Sequence, residues 1–311
     1  MRPLRALLPL AAALLLAGCG TAEQAPAPAT PPGPTVVAST NVYGAIARAV
    51  GGDRITVTSL ITDPTADPHS YESTPADAVE VAGADLVVRN GGGYDDFMTR
   101  LVESAGSTPT VVDATAVSGL APADATDDGH GHGDFNEHVW YSLPTVQKVA
   151  DRLAADLATL DPAGAATYTA NARTFGEQVG QLEQEAAAIG AAAPGAAVAV
   201  TEPLPGYLLQ TAGLTDATPE EFSEAVEEDT DPPAAAVAQT MALFQGPQRV
   251  RALVVDAQTV TPTTQQVRGA AEAAGVPVVE MTETLPEGQA DYVAWMAGQV
   301  DALASAVGAP R

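Results

Sequence analysis

Cysteine occurs once in the 311 residues, as Cys19. A single thiol excludes an internal disulfide, and a mature chain that uses it elsewhere has no thiolate metal site. A chain of this length can still bury a core large enough to stand without disulfides. Basic residues are also scarce, 13 Lys and Arg against 39 Asp and Glu, for a formal charge of -26. Phosphate backbones are bound by clustered Lys and Arg, so this balance argues against a nucleic-acid partner. The same charge concentrates cations near the surface without specifying one. Aromatics are few, with seven Tyr, five Phe and two Trp, which argues against a sugar-stacking cleft. The stretch Leu7–Leu16 is too short to span a bilayer, which takes about 20 residues. The helical zinc-hydrolase motif H-E-x-x-H is missing, and histidine is confined to positions 69, 130, 132 and 138.

What is present begins with a leader. Arg2 and Arg5, the apolar Leu7–Leu16 and then Ala17-Gly18-Cys19 form a secretory signal over residues 1–18. Leu16-Ala17-Gly18-Cys19 resembles a bacterial lipobox, which makes Cys19 the expected lipid attachment point and the cell membrane's outer face the expected location. Residues 19–35 are rich in Pro, Ala and Thr, carry no periodic apolar face, and are read as a tether.

From Val36 onward short β-branched runs alternate with helical patterns, at 35–40, 55–61, 85–93 (a strand running into a glycine-rich turn), 111–112, 196–200, 251–255 and 276–279. Such alternation predicts α/β architecture with mainly parallel sheets covered on both faces. The segment 144–192 is mostly helical, with a break at Asp161-Pro162, and divides an N-terminal α/β domain (36–143) from a C-terminal one (193–311). Ligands of such sheets bind at the carboxyl ends of strands, so the expected site is the cleft between the two. Residues 118–138 read as a long polar loop, and 219–232, PEEFSEAVEEDTDP, as a charged one.

Candidate site residues lie at strand ends, except His138, which sits just before the long helix. His69 follows the second strand in DPTADPHSYESTP, a turn-forming sequence, and is either a surface histidine or a ligand. His138, flanked by Trp140 and Tyr141, is either a satisfied histidine at the core edge or a ligand. Glu202 follows the strand 196–200, Glu283 follows 276–279, and Asp256 competes for any acidic role.

The segments ADPHSYESTPADAVEVAGADLVVRNGGG, NEHVWYSLPTV, TEPLPGYLLQTAGL and VVEMTETLPEGQADYVAWM resemble the periplasmic zinc/manganese-binding proteins of metal ABC transporters. The order D-P-H-x-Y-E, x-A-D-L-V and N-G is the most specific part. The resemblance implies two α/β domains joined by a long rigid helix, with a metal held between them by His69, His138, Glu202 and Glu283. Glu72, Asn90 and Tyr94 are expected to shape that site. It further implies a monomer that captures Zn2+, or alternatively Mn2+, and delivers it to an ABC permease rather than acting as an enzyme. His130 and His132, in DDGHGHGD, resemble a short version of the histidine-rich loop of zinc-binding members and are read as a weak collecting site or as solvent-exposed residues. Three other readings are a zinc-dependent hydrolase, a surface adhesin, and a capture protein for sugars or peptides.

Overall fold

The computed structural model describes residues 33–121 and 135–309. Cys19, His130 and His132 lie outside them, and so do the expected anchor and histidine loop. Strand β1 (Thr35–Thr40) leads into helix α1 (Asn41–Gly51), followed by β2 (Thr56–Ile61), α2 (Pro75–Ala82) and β3 (Leu86–Arg89). Then come α3 (Asp96–Ser104), β4 (Thr110–Asp113) and α4 (Ala114–Ser118). Two long helices, α5 (Leu143–Leu160) and α6 (Ala165–Ala192), precede the second half. That half runs β5 (Ala197–Val200), α7 (Gly206–Thr211), β6 (Thr215–Asp216), α8 (Glu220–Glu227) and α9 (Ala234–Ala242). It closes with β7 (Leu253–Asp256), α10 (Pro262–Ala273), β8 (Val278–Met281) and α11 (Tyr292–Val307).

The strands form two four-stranded parallel sheets, ordered β2-β1-β3-β4 and β6-β5-β7-β8. Central strands such as LVVR and LVVD are buried on both faces, which is why they read as continuous apolar runs rather than alternating ones. In each sheet the strand order reverses direction, between β1 and β3 and between β5 and β7. The carboxyl ends of strands at such switch points leave a crevice.

Helix α6 unites the lobes. Tyr168, Ala172, Phe175, Val179, Leu182, Ala186 and Ile189 are buried along it at alternating steps of four and three. The resulting stripe runs the length of a rod of about 42 Å. It belongs to one continuous core that holds Val36 and Val88 of the first sheet, Val198 and Val254 of the second, and Trp295 and Leu303 of α11. Smaller clusters fill the outer faces. Val37, Ile61, Phe97 and Met98 pack in the first lobe, and Phe222, Phe244, Leu253 and Val267 in the second. Because the lobes share a core, opening them widely would expose apolar surface.

The region 219–232 differs from expectation. Residues Glu220–Glu227 form a helix, because Phe222 and Val226 lie one turn apart and are buried while Glu220 and Glu221 favour the helix N-terminus. The two-residue β6 is too short to leave a periodic signal. No helix among the described residues is long and apolar enough to cross a membrane.

Phe175 is 3% exposed and its ring lies 5.9 Å from that of Tyr292. Phe175→Ala is expected to cost about 3–5 kcal/mol. Urea unfolding checks this, and a loss under about 1 kcal/mol would contradict a core shared across α6.

Candidate metal centre

The polar centre is assembled from strand-end loops of both lobes and from the segment that precedes α5. His69 lies between β2 and α2, where Asp67 Oδ1 accepts its backbone N–H at 2.8 Å in an Asx turn. The ring of Tyr94 stands nearly perpendicular to the His69 imidazole, with centroids 4.9 Å apart. Tyr94 reaches this position through the turn Gly91-Gly92-Gly93, all at positive φ. A Cβ on Gly91 would also lie 2.5 Å from the Asp113 carboxylate. Asp95 closes the turn by accepting the backbone N–H groups of Asn90 at 2.6 Å and Gly91 at 2.8 Å.

His138 is fully buried. Asn136 Oδ1 accepts its backbone N–H at 2.9 Å and lies 2.8 Å from Nδ1. Asn136 Nδ2 donates to the Pro203 carbonyl at 2.7 Å, which fixes the amide orientation. Oδ1 is therefore the atom facing His138, and Nδ1 must be its donor. Nε2 is left as the nitrogen that can face a cation. Gly206 permits this approach, since a Cβ there would meet Asn136 Nδ2 at 2.8 Å. Tyr207 donates to the Asn136 carbonyl at 2.6 Å, so the His138 segment is gripped by the second lobe. Asn90 supports it from the first, donating to the Glu137 carbonyl at 2.9 Å and accepting from Tyr43.

Three carboxylates come from the second lobe's strand ends. Glu202 follows β5, Asp256 ends β7 and Glu283 follows β8, and all are buried. Each offers an oxygen within 4.8 Å of the others. Glu283 also belongs to a set with His69 and His138, whose donor atoms again lie within 4.8 Å of one another. Tyr94 donates to Glu283 Oε2 at 2.9 Å. Gln258 accepts the Glu283 backbone N–H at 2.6 Å and donates to the Ala66 carbonyl at 3.1 Å, tying this carboxylate to the His69 loop. Asp256 Oδ1 accepts the backbone N–H of Gln258 at 2.8 Å.

The structure places His69, His138 and Glu283 in one set and Glu202 in an adjoining set that shares Glu283, whereas the resemblance implies all four around one ion. Asp256 is in that second set, beside Glu202. Asn90 and Tyr94 support the site as expected, whereas Glu72 is exposed on its loop. Glu137 and Glu227, which form a third set with His69, are absent from the sequence reading. Glu227, at the end of α8, places Oε1 3.1 Å from His69 Nε2 and 3.3 Å from His138 Nε2. The signal that would have found it is the helical pair Phe222 and Val226, which carries the next residue inward.

Negative charge is crowded here away from water. Glu202 Oε1 and Asp256 Oδ2 receive no donor among the described residues, and as carboxylates they can bond each other only by sharing a proton. Burial and the Asp256 charge push Glu202 up to about 11. Burial and Asp256 likewise raise Glu283 far above the usual carboxylate range. Burial opposes charge on His138, but Glu227, Glu137 and Glu283 prevail and push it up to about 10. Glu227 also resists burial, because His138 and His69 hold it well below the ordinary range. Two imidazoles and several buried carboxylates suit a small divalent cation, which would replace the protons as countercharge.

Two parallel α/β lobes sharing a core, with a polar centre at their strand ends, define a bilobal binding-protein architecture. The chain belongs to the family described as zinc-uptake complex component A, periplasmic, whose model matches residues 36–306. It is 31% identical over 172 residues to the manganese-binding lipoprotein MntA of Halalkalibacterium halodurans, covering 55% of this chain and 54% of that protein. It is 27% identical over 171 residues to the high-affinity zinc uptake system protein ZnuA of Yersinia pestis, covering 48% and 54%. The chain spans about half the length of the curated relatives it matches. Among solved structures, FpvC of Pseudomonas aeruginosa in complex with Mn2+ shares the fold at a TM-score of 0.71 and 23% identity, covering 89% of this chain and 98% of that one. The periplasmic zinc-binding protein TroA of Treponema pallidum shares it at 0.71 and 19% identity, covering 89% and 100%.

Asn136→Ala removes the acceptor that orients His138. The expected outcome is a loss of zinc affinity of about 10- to 100-fold with an unchanged circular dichroism spectrum, measured by chelator competition. Affinity equal to that of the unmodified protein would show that His138 is oriented by something else.

Proposed function

We propose that this chain captures a divalent transition metal outside the cytoplasmic membrane and delivers it to an ABC-type permease. Zinc is the primary cargo and manganese the alternative. The observation that carries this reading is the convergence of His69, His138 and buried carboxylates from separate segments of both lobes. Membership in a family described by zinc uptake supports it, as do relatives named for manganese and zinc. The role is carriage, not catalysis.

The proposed metal contacts are His69, His138, Glu202 and Glu283. Glu283 is preferred to Asp256 because it shares a set with both imidazoles. Two imidazoles favour zinc, whose intrinsic affinity at N/O sites exceeds that of manganese, whereas the carboxylates make manganese a real competitor. The leader ends at residue 18, Cys19 carries the lipid, and residues 19–35 tether a monomeric body to the membrane, with lobes at 36–143 and 193–311 flanking the helical segment 144–192. Docking on the permease releases the metal by displacing contacts of one lobe relative to the other. Bridges across the lobes keep that displacement small. Asn41 exchanges two hydrogen bonds with Leu285 at 2.9 Å, Tyr141 donates to Thr282 at 2.8 Å and Tyr292 to Trp140 at 2.7 Å.

Competition titration of metal-free protein with Zn2+ and Mn2+ tests the reading. His69→Ala and His138→Ala are each expected to lower affinity more than about tenfold, and unaltered binding in either variant rejects the assignment. Binding should also release protons. At about pH 7, His138 lies below its pKa of about 10 and Glu202 below about 11, so each holds a proton that a cation must displace. Affinity therefore rises with pH between about 6 and 9, and calorimetry in buffers of different ionisation enthalpy measures the release. A pH-independent affinity would contradict the buried protonated centre.

A further inference from the structure

Glu227 lies outside the four contacts that the resemblance implies, yet it occupies the space between the two imidazoles. Its Oε1 is 3.1 Å from His69 Nε2 and 3.3 Å from His138 Nε2. Atoms bound about 2.0–2.2 Å from one cation, in tetrahedral or octahedral array, stand about 3–3.5 Å apart. The carboxylate oxygen therefore stands from each nitrogen at the spacing of neighbouring vertices in one coordination shell. The Glu227 side chain is only 7% exposed, and neither carboxylate oxygen receives a well-formed hydrogen bond among the described residues. Helix α8 holds it there because Phe222 and Val226 anchor the helix in the second lobe's outer core.

Glu227 also borders a cavity of about 460 Å³, whose walls include Glu137, Pro203, Gly206, Asp216 and Glu224. This acidic cavity meets the centre at Glu227, on the side of the Asn136–Pro203 contact.

We propose that Glu227 is a further direct contact of the bound metal, reached through the acidic cavity, and that it raises the coordination number above four. The inference rests on the capture reading above. A carboxylate added to two imidazoles and two carboxylates favours ions that accept five or six hard donors, manganese among them, over four-coordinate zinc. Glu227 is thus the residue that narrows the zinc preference.

The probes are Co2+, Mn2+ and Zn2+ added singly to the purified metal-free protein and to Glu227→Gln. The glutamine keeps the size and removes the anionic oxygen. The expected result is at least about a tenfold loss of Mn2+ affinity, a smaller loss for Zn2+, and Co2+ d–d absorption that shifts and intensifies as the ion moves toward four-coordination. An unchanged cobalt spectrum and unchanged affinities would overturn the inference and leave the capture reading standing. Tighter binding in Glu227→Gln would also overturn it, because the carboxylate would then be a competitor that the metal displaces. An unmodified protein that binds none of the three ions would instead sink the capture reading. If the variant does not fold, X-ray absorption of the unmodified cobalt complex decides the matter. Five or more nitrogen and oxygen neighbours are expected, and about four would overturn the proposal.

Discussion

Negative charge held away from water, facing two imidazoles, is the constraint around which this protein is arranged. Glu202, Asp256 and Glu283 are each at most 6% exposed, and His138 is fully buried. Desolvating each carboxylate costs several kcal/mol unless a countercharge accompanies it. In the metal-free protein that role falls to retained protons and to the imidazoles, so Glu202 and His138 titrate far above their ordinary ranges while Glu227, between two histidines, titrates far below. The centre therefore gains more from a small divalent cation than an exposed acidic patch would.

Maintaining that crowding requires a stiff frame. The buried stripe of α6 joins a single core that spans both sheets, and the site residues sit at the carboxyl ends of those sheets. Polar bridges then fix the gap between the lobes at the level of individual site residues. Tyr94 of the first lobe holds Glu283 of the second, Gln258 of the second holds the His69 loop of the first, and Asn136 couples the His138 imidazole to Pro203. A shift of one lobe by even a fraction of an ångström would disturb several of these bonds together.

Much of this was legible in the amino-acid order, for physical reasons. Parallel strands buried on both faces read as unbroken β-branched runs, so TVVAST and the strand before Glu202 stand out. Glu202 and Glu283 were legible as cleft-facing positions because they follow strands, and His69 and His138 because the flanking motifs resemble a known family. Glu227 was not. In PEEFSEAVEEDTDP it is one acid among many, and the dominance of charge hides the single helical cue, Phe222 and Val226 one turn apart. The role of Asn136 was hidden too, since a hydrogen bond to Pro203 joins positions 67 residues apart. Local pattern shows which side chains face a cleft, whereas the partners that orient them are fixed only when the lobes meet.

The most direct measurement is a crystal structure of the metal-loaded protein with anomalous data collected at the zinc and manganese absorption edges. A single strong peak is predicted within bonding distance of His69 Nε2 and His138 Nε2, with Glu202 and Glu283 carboxylate oxygens around it. No peak between the lobes, or one that touches neither imidazole, would contradict the account.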